Sequence, residues 1–135
     1  MAASVLVDAG FLVALLSRQD GHHRWAVAQA TLRPPPWRTC EAVLSEAFHL
    51  LGGGGAPALA ALLRRQAVTV VFDFSNDADA ALRLMHKYGD VPASLADAIL
   101  VRMTETLDDP MLLTTDADFR IYRRHGRQTV PVVMP

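Results

Sequence analysis

Short apolar runs alternate with amphipathic stretches along the chain, and this pattern predicts strands and helices in turn. The predicted strands are residues 4–8, 37–40, 68–72, 111–115 and 129–133. The predicted helices cover residues 11–16, 22–32, 41–51, 57–65, 77–88, 94–107 and 117–124. Strands that alternate with helices form parallel sheets with helices on both faces, so the pattern predicts an α/β fold. Pro131 lacks the donor that a central strand requires, which places the last strand at the sheet edge.

Two of the predicted strands end at an acidic residue. Residues 5–7 are apolar and predict a strand buried on both faces, with Asp8 at its carboxyl end. Asp116 follows the strand at residues 111–115 in the same way. Open parallel sheets bind their ligands at this edge. The alternative is that each acid caps the helix that follows it, because aspartate is a favoured N-cap residue.

Two further acids lie on helices that reach the same edge. Glu46 lies beside Val43 at the margin of the apolar face of its helix, where a purely solvating glutamate is not expected. Asp97 lies in the first turn of its helix, which begins at the carboxyl edge because it runs antiparallel to the strand it feeds. The alternative for Asp97 is a capping box with Ser94, in which aspartate replaces the usual glutamate.

Carboxylates that meet at one edge repel one another, and each raises the pKa of its neighbours unless a cation compensates. A hard divalent cation with oxygen ligands gives that compensation, and Mg²⁺ commonly uses few carboxylates. The four acids together therefore predict a site for Mg²⁺ or Mn²⁺, in preference to a set of unrelated caps and surface acids. The acids are Asp8, Glu46, Asp97 and Asp116.

Composition narrows the class of protein. The chain has 135 residues, of which 51% are hydrophobic and 20% charged, so we expect one globular domain over residues 1–135. No apolar run approaches the roughly 18–20 residues that span a bilayer, and the chain lacks the pattern of a signal sequence. Its single cysteine, Cys40, excludes an internal disulfide and a cysteine-based metal site. We expect a cytoplasmic protein with no membrane partner.

Arginine dominates the basic residues. Lys87 is the only lysine among 13 basic residues, and the fork of arginine suits phosphate better. The net charge is −1, but metal ions that neutralised the four acids would leave a basic surface. A basic segment near the C-terminus is the candidate for contacts with the phosphate backbone of a polyanion, and a solvated helix face is the alternative. This segment contains Arg120, Arg123, Arg124, His125 and Arg127.

Two other features of the sequence resemble functional motifs, and we assign them structural roles. His22 and His23 are adjacent on a predicted helix and point about 100° apart, so they do not form a chelating i, i+4 pair. We interpret them as structural or capping residues. The glycines at residues 52–55 predict a flexible loop between two helices. A phosphate-binding P-loop is disfavoured, because the Gly-Lys-Ser/Thr that it needs is missing.

Four short motifs resemble those of PIN-domain ribonucleases, in particular the toxin subunits of VapBC toxin–antitoxin pairs. They are residues 7–15 (VDAGFLVAL), 44–46 (LSE), 94–98 (SLADA) and 113–119 (LTTDADF). The motifs occur in the family order with family-like spacing, and the resemblance covers essentially the whole chain. The glycine run at residues 52–55 departs from the family, whose members usually have an ordinary turn between helices there.

The resemblance implies a three-layer α/β/α PIN-like domain, with a parallel sheet of four to five strands in the order 3-2-1-4-5. The metal ligands that it implies are Asp8, Asp97 and Asp116, with Glu46 as a further ligand or acting through water. Asp118 is a candidate fifth acid, and Thr115 is a candidate hydroxyl supporting the ligands. The implied activity is metal-dependent hydrolysis of RNA.

The resemblance also implies partners. Relatives act as homodimers and are silenced by a small antitoxin whose C-terminal segment crosses the acidic edge. Residues 11–32 and 40–63 carry many apolar side chains, including Trp25 and Phe48, and a surplus of apolar surface favours an interface. The alternative is a monomer in which these residues complete the core.

Functions from other classes compete with this interpretation. A non-catalytic PIN-like module that binds nucleic acid or protein, with the acids as caps, is the main alternative. A phosphoacceptor receiver domain is disfavoured because Asp8 has no acidic neighbour and Lys87 lies on a predicted helix. A haloacid-dehalogenase-like phosphatase is excluded because Gly10 stands where it needs a second aspartate.

Overall fold

This computed structural model describes residues 3–135, and its central element is a parallel sheet of five short strands. Seven strands occur within the described residues: β1 (Ser4–Val7), β2 (Trp37–Thr39), β3 (Val68–Val70), β4 (Pro110–Leu113), β5 (Arg123–Arg124), β6 (Gln128–Thr129) and β7 (Val132–Val133). The helices are α1 (Ala9–Leu16), α2 (His23–Leu32), α3 (Glu41–Arg64), α4 (Phe74–Lys87) and α5 (Leu95–Thr106). The sheet order is β3-β2-β1-β4-β7. Because β7 is the last predicted strand, the expected α/β fold and the order 3-2-1-4-5 are confirmed.

The central strands fix the geometry of the edge. In β1 and β4, Leu6 pairs with Leu112 and Val7 with Leu113, and all four side chains are fully buried. The next residues along the two strands therefore leave the sheet side by side. The backbone N–H of Asp8 still donates to Leu113, at 3.4 Å. This register is what brings Asp8 next to the segment that follows β4.

An aromatic cluster fastens the first two helices to the sheet. The Phe11 ring is fully buried and packs edge-on against Trp25 and Trp37, with ring centroids 6.0 and 5.5 Å apart. His23 joins α2 to α1, since its Nδ1 lies 2.8 Å from the carbonyl oxygen of Ala14. That contact agrees with a structural role for His23. No helix within residues 3–135 is both long and apolar enough to cross a membrane.

The predicted flexible loop at residues 52–55 is wrong. α3 continues from Glu41 to Arg64 and departs from helical geometry only at Gly52, which has φ 60° and ψ −161°. Since this one glycine takes the whole change of direction in a conformation that disfavours other residues, the three glycines after it can adopt helical angles. Two helical halves thus meet at a sharp kink.

The predicted helix at residues 117–124 is also wrong. A short 3-10 turn, Ala117–Arg120, leads to an antiparallel hairpin of β5 and β6. His125 and Gly126 have positive φ values of 50° and 83°, so the chain reverses there instead of continuing as a helix. The helix predicted from residue 77 begins earlier, at Phe74, because the Asp73 carboxylate caps it by accepting from the N–H of Ser75 at 3.0 Å.

Candidate active site

A cavity of about 370 Å³ opens at the carboxyl edge of the sheet, where all four predicted acids meet. Four different elements supply them: Asp8 follows β1, Glu46 lies on α3, Asp97 on α5, and Asp116 follows β4. The rest of the lining is made of small and apolar residues and one hydroxyl: Ala9, Gly10, Val43, Leu50, Ala96, Leu100, Thr115 and Ala117. The structure thus brings together the residues that the sequence singled out, while their roles stay predictions.

Asp8 is both a helix cap and a cavity residue. One carboxylate oxygen accepts from the Phe11 N–H at 2.8 Å, and the other accepts from the Thr114 hydroxyl. The same Thr114 oxygen accepts from the N–H of Asp116 at 2.9 Å. The buried Thr114 hydroxyl therefore connects two of the acids.

The sequence pointed to Thr115, and the structure gives the connecting role to Thr114. Thr115 does line the cavity, where its hydroxyl occupies the space that a Cβ at position 10 would need. Gly10 therefore allows close approach of the two segments with the Thr115 hydroxyl in this position. A signal for Thr114 was present in the sequence, because a hydroxyl two residues before an aspartate commonly binds the backbone of the turn.

Asp97 is held by a contact that the sequence analysis missed. Its backbone N–H donates to the Ser94 hydroxyl at 3.0 Å, so Ser94 caps α5 as the capping pattern indicated. Its Oδ2 accepts from the hydroxyl of Tyr122 at 2.9 Å. Only the i, i+3 spacing of Phe119 and Tyr122 marks Tyr122 in the sequence, and that spacing indicates burial, not a polar contact.

Glu46 and Asp116 are less constrained. Glu46 lies on the solvent side of α3 between Val43 and Leu50, at the margin of the apolar face as expected. Asp116 caps the 3-10 turn, since its Oδ1 accepts from the N–H of Asp118 at 2.9 Å. Asp118 itself does not line the cavity. The candidate fifth acid is therefore separated from the other four.

Burial, together with neighbouring carboxylates, disfavours the charged form of two acids of the cavity, Asp8 and Asp97. Burial raises the pKa of Asp8 from 3.8 to about 6; the bonds from Thr114 and Phe11 oppose the rise, and the carboxylates of Asp116 and Asp97 add to it. Burial also raises the pKa of Asp97, with the Tyr122 hydrogen bond opposing and Asp116 adding. A cation in the cavity would offset this repulsion.

The carboxylate oxygens of the four acids are ligands that a hard divalent cation prefers, although these oxygens do not converge on a single point. Within residues 3–135, no three side chains of His, Cys, Asp or Glu lie close enough to hold a metal ion as placed. Protein donors hold one or both oxygens of Asp8, Asp97 and Asp116, as described above. Oxygen ligands from several carboxylates, destabilised by burial and by each other, are nonetheless the chemistry that Mg²⁺ and Mn²⁺ favour.

The structure divides the basic segment into two pairs. The Arg123 guanidinium donates to three backbone carbonyls, including that of Arg120 at 2.6 Å, and Arg124 donates to the carbonyl of Thr104. Arg120 and Arg127 are exposed, and their guanidinium groups make no hydrogen bond within residues 3–135. These two are the better placed to contact a polyanion.

A second, apolar cavity of about 360 Å³ lies beside α3 and α5, which also line the acidic cavity. Its lining is Cys40, Glu41, Ala42, Ser45, Phe72, Phe74, Leu95 and Ile99. Phe74 and Leu95 are 39% and 37% exposed, which is high for such large apolar side chains. The surface next to the acids is therefore apolar on one side.

Comparison with known proteins gives the class to which this architecture belongs. The family model of the PIN domain matches residues 5–124, so the chain belongs to the PIN-domain family. Nucleases of this family generally use divalent metal ions. Among solved structures, the fold is similar to that of VapC20 from Mycobacterium tuberculosis, described as a sarcin–ricin loop cleaving toxin.

The match to VapC20 has 26% sequence identity and a TM-score of 0.60, and it covers 70% of this chain and 76% of that one. No curated protein sequence in the comparison is significantly similar to the chain. The resemblance to PIN-domain proteins and VapC toxins that the motifs indicated is confirmed by these two matches.

Proposed function

We propose that this protein is a metal-dependent endoribonuclease that acts in the cytoplasm as the toxin of a type II toxin–antitoxin pair. The observation that carries the proposal is the convergence of Asp8, Glu46, Asp97 and Asp116 on one cavity of a PIN-family fold. VapC toxins act on RNA and pair with VapB antitoxins. Both the family and the acidic cavity thus support hydrolysis of RNA phosphodiester bonds.

In this proposal Asp8, Asp97 and Asp116 hold Mg²⁺ or Mn²⁺. When bound, such an ion activates water and offsets charge on the phosphate oxygens. The attacking water forms a bond to phosphorus and gives up a proton, while the bond to the leaving ribose oxygen breaks and that oxygen takes up a proton from solvent. Glu46 is the least constrained acid of the cavity, and we assign it to accepting that proton or orienting the water.

The remaining residues position the acids and the substrate. Thr114 holds Asp8 through its hydroxyl, and Thr115 lies at the cavity surface, where it supports the same edge. Arg120 and Arg127 contact the RNA backbone outside the cavity. This assignment leaves Asp118 outside the metal site.

The direct test is cleavage of a panel of structured RNAs, which includes a sarcin–ricin loop because VapC20 cleaves that element. We expect internal cleavage with Mg²⁺ or Mn²⁺ and none with EDTA. Glu46→Gln and Asp8→Asn should each abolish cleavage and relieve growth arrest in an expressing host. Growth arrest that persists in both variants would point to a mechanism other than RNA cleavage.

A non-catalytic PIN-like module that binds nucleic acid or protein is the second candidate. One observation favours it: Asp8 and Asp116 do cap the segments that follow them, as that interpretation requires. Capping needs neither acid to face a cavity shared with Glu46 and Asp97. RNA that is bound but left intact with either metal ion would favour this module over the nuclease.

We propose an antitoxin and a second copy of the chain as partners. Trp25 and Phe48 are partly buried against the core, which weakens the part of the interface argument that rested on them. Val27, Leu32 and Leu50 are exposed by 44%, 68% and 57%. These side chains leave apolar surface exposed on the helices where the sequence predicted an interface. Light scattering at micromolar concentration tests the dimer, and a strictly monomeric mass would contradict it.

The apolar cavity offers a seat for the antitoxin. It shares α3 and α5 with the acidic cavity, and Glu41 lies in its lining. An amphipathic segment with apolar anchors and basic side chains would complement both cavities at once. Binding that leaves RNA cleavage unchanged would defeat occlusion as the means of inhibition.

A further inference from the structure

Tyr122 is a buried aromatic residue with a polar end. Its side chain is only 1% exposed, and its ring packs against Tyr88 and Phe119 with centroids 5.1 and 5.2 Å apart. Tyr88 is the residue that ends α4, and Phe119 lies on the 3-10 turn, so two separate elements hold the ring. The direction in which the hydroxyl points is therefore set by packing.

The fixed hydroxyl meets one of the cavity acids. Tyr122 donates to Oδ2 of Asp97 at 2.9 Å, from a position 25 residues further along the chain. A hydrogen bond to a carboxylate is stronger than one between neutral groups. The bond engages one oxygen of Asp97 and restricts rotation of the carboxylate, whose torsion is otherwise soft.

The contact also connects two elements of the site. Asp97 lies on α5, whereas Tyr122 follows the 3-10 turn that Asp116 caps. Thr114 makes a comparable connection between Asp8 and Asp116. Thr114 thus joins Asp8 to Asp116, and Tyr122 joins Asp97 to the segment that follows the turn capped by Asp116.

We propose that Tyr122 is a positioning residue of the acidic cavity, whose hydroxyl orients the Asp97 carboxylate for a divalent cation. The proposal rests on the metal-dependent function above and adds a residue to it. Outer hydrogen-bond partners of a metal ligand fix its orientation, and their loss typically weakens metal binding by about 10–100-fold. The competing explanation is that Asp97 only satisfies a buried hydroxyl.

Tyr122→Phe separates these explanations, because it keeps the packed ring and removes only the hydroxyl. Tyr88→Phe is the matched control, since Tyr88 belongs to the same aromatic cluster and its hydroxyl accepts from the Arg123 N–H at 2.9 Å. Both variants lose one hydroxyl with one hydrogen bond. Only Tyr122 contacts an acid of the cavity.

The experiment is calorimetric titration of the three full-length proteins with Mn²⁺ after removal of metal by EDTA and exchange. We expect about 10-fold weaker binding for Tyr122→Phe and wild-type affinity for Tyr88→Phe. The Mn²⁺ concentration for half-maximal RNA cleavage should rise by the same factor in Tyr122→Phe, with the rate at saturating Mn²⁺ largely kept. Circular dichroism confirms that each variant is folded.

The possible failures are distinguishable. Equal Mn²⁺ affinity in wild type and Tyr122→Phe would overturn the role of Tyr122 and leave the proposed nuclease intact. Equal weakening in Tyr122→Phe and Tyr88→Phe would also overturn it, because the effect would then come from the aromatic cluster. A wild-type protein that neither binds Mn²⁺ nor cleaves RNA would overturn the proposed function and the role of Tyr122 together.

Discussion

The two cavities beside α3 and α5 have nearly the same volume, about 370 and 360 Å³, and opposite chemistry. On α5, Asp97 faces the acidic cavity and Leu95 the apolar one. On α3, the neighbours Ser45 and Glu46 are divided in the same way. Successive helical residues point about 100° apart, so a single turn can serve two surfaces. The edge of the sheet therefore carries two separate sites on shared elements.

The two cavities differ in the energetic cost that a bound ligand would offset. In the acidic cavity, burial and mutual repulsion raise the pKa values of Asp8 and Asp97, which is a cost that a cation can offset. In the apolar cavity, Phe74 and Leu95 expose surface to water, which is a cost that an apolar partner can offset. Substitutions in the apolar cavity should therefore leave RNA cleavage at the acidic cavity unchanged.

The largest effect is expected from the acids themselves. Asp97→Asn neutralises a proposed metal ligand. Because even the loss of an outer partner of a ligand costs about 10–100-fold, RNA cleavage should fall by at least about 100-fold. Asp118→Asn is the matched control, because Asp118 has the same side chain close by and does not line the cavity. Single-turnover cleavage assays in Mn²⁺ measure both. A loss of the same size in Asp118→Asn would extend the site beyond the cavity and return Asp118 to the set of ligands.

The next effect concerns the stability of the EDTA-treated protein. The pKa of Asp8 is raised from 3.8 to about 6, so between these values the folded chain binds a proton more tightly than the unfolded chain does. The free energy of unfolding therefore falls as pH rises through this range, by about 3 kcal/mol. Asp8→Asn is neutral at position 8 at every pH and keeps an oxygen for capping, so it should be more stable than wild type at pH 7.

Urea unfolding in EDTA at several values between pH 4 and pH 8 measures this difference. The gap between Asp8→Asn and wild type should widen as pH rises and level off above about pH 7. The raised pKa of Asp97 acts in the same direction in both proteins, and repulsion by Asp97 is the smallest cause of the Asp8 shift, so most of the Asp97 contribution cancels in the comparison. A gap that stays constant with pH would mean that Asp8 is ionised in the folded chain as easily as in the unfolded one.

The placement of the acids could be predicted from the sequence, and their hydrogen bonds could not. Asp8 and Asp116 reach the edge because strand ends are local features of the pattern. The bond from Thr114 to Asp8 spans 106 residues, and that from Tyr122 to Asp97 spans 25, so both depend on how distant elements pack. The sheet order came from the resemblance to the family and not from periodicity.

The errors in the predicted elements also have a common physical cause. Which glycine of residues 52–55 takes the kink depends on how the two halves of α3 pack, and local composition does not reveal it. Residues 117–124 look helical locally, but burial of Tyr122 and reversal at Gly126 override that preference. Tertiary packing decided both cases.

A smaller effect is expected in the apolar cavity. Phe74→Ala should weaken binding of the proposed antitoxin by about 5–30-fold, because truncation of an aromatic anchor commonly costs about 1–2 kcal/mol. Leu82→Ala is the matched control, since Leu82 is 52% exposed on the same helix and does not line the cavity. Binding to the product of an adjacent gene, measured beside RNA cleavage, tests the separation of the two cavities. Reduced RNA cleavage in Phe74→Ala would contradict the functional separation of the two cavities.

The smallest effect should come from the arginines outside both cavities. Arg120 is exposed and makes no side-chain hydrogen bond within residues 3–135, so Arg120→Gln should remove one phosphate contact and little else. For single-stranded RNA each such contact contributes about 0.7 to the slope of log affinity against log salt. Arg83→Gln is the control, because Arg83 is exposed on α4 and pairs with Asp79. Filter binding in the cleavage-deficient Asp8→Asn background, at several salt concentrations, measures the slope. An unchanged slope in Arg120→Gln would mean that the RNA backbone does not contact this turn. A reduced slope in Arg83→Gln would mean that the loss of any positive charge weakens binding, so that the contact at Arg120 is not specific.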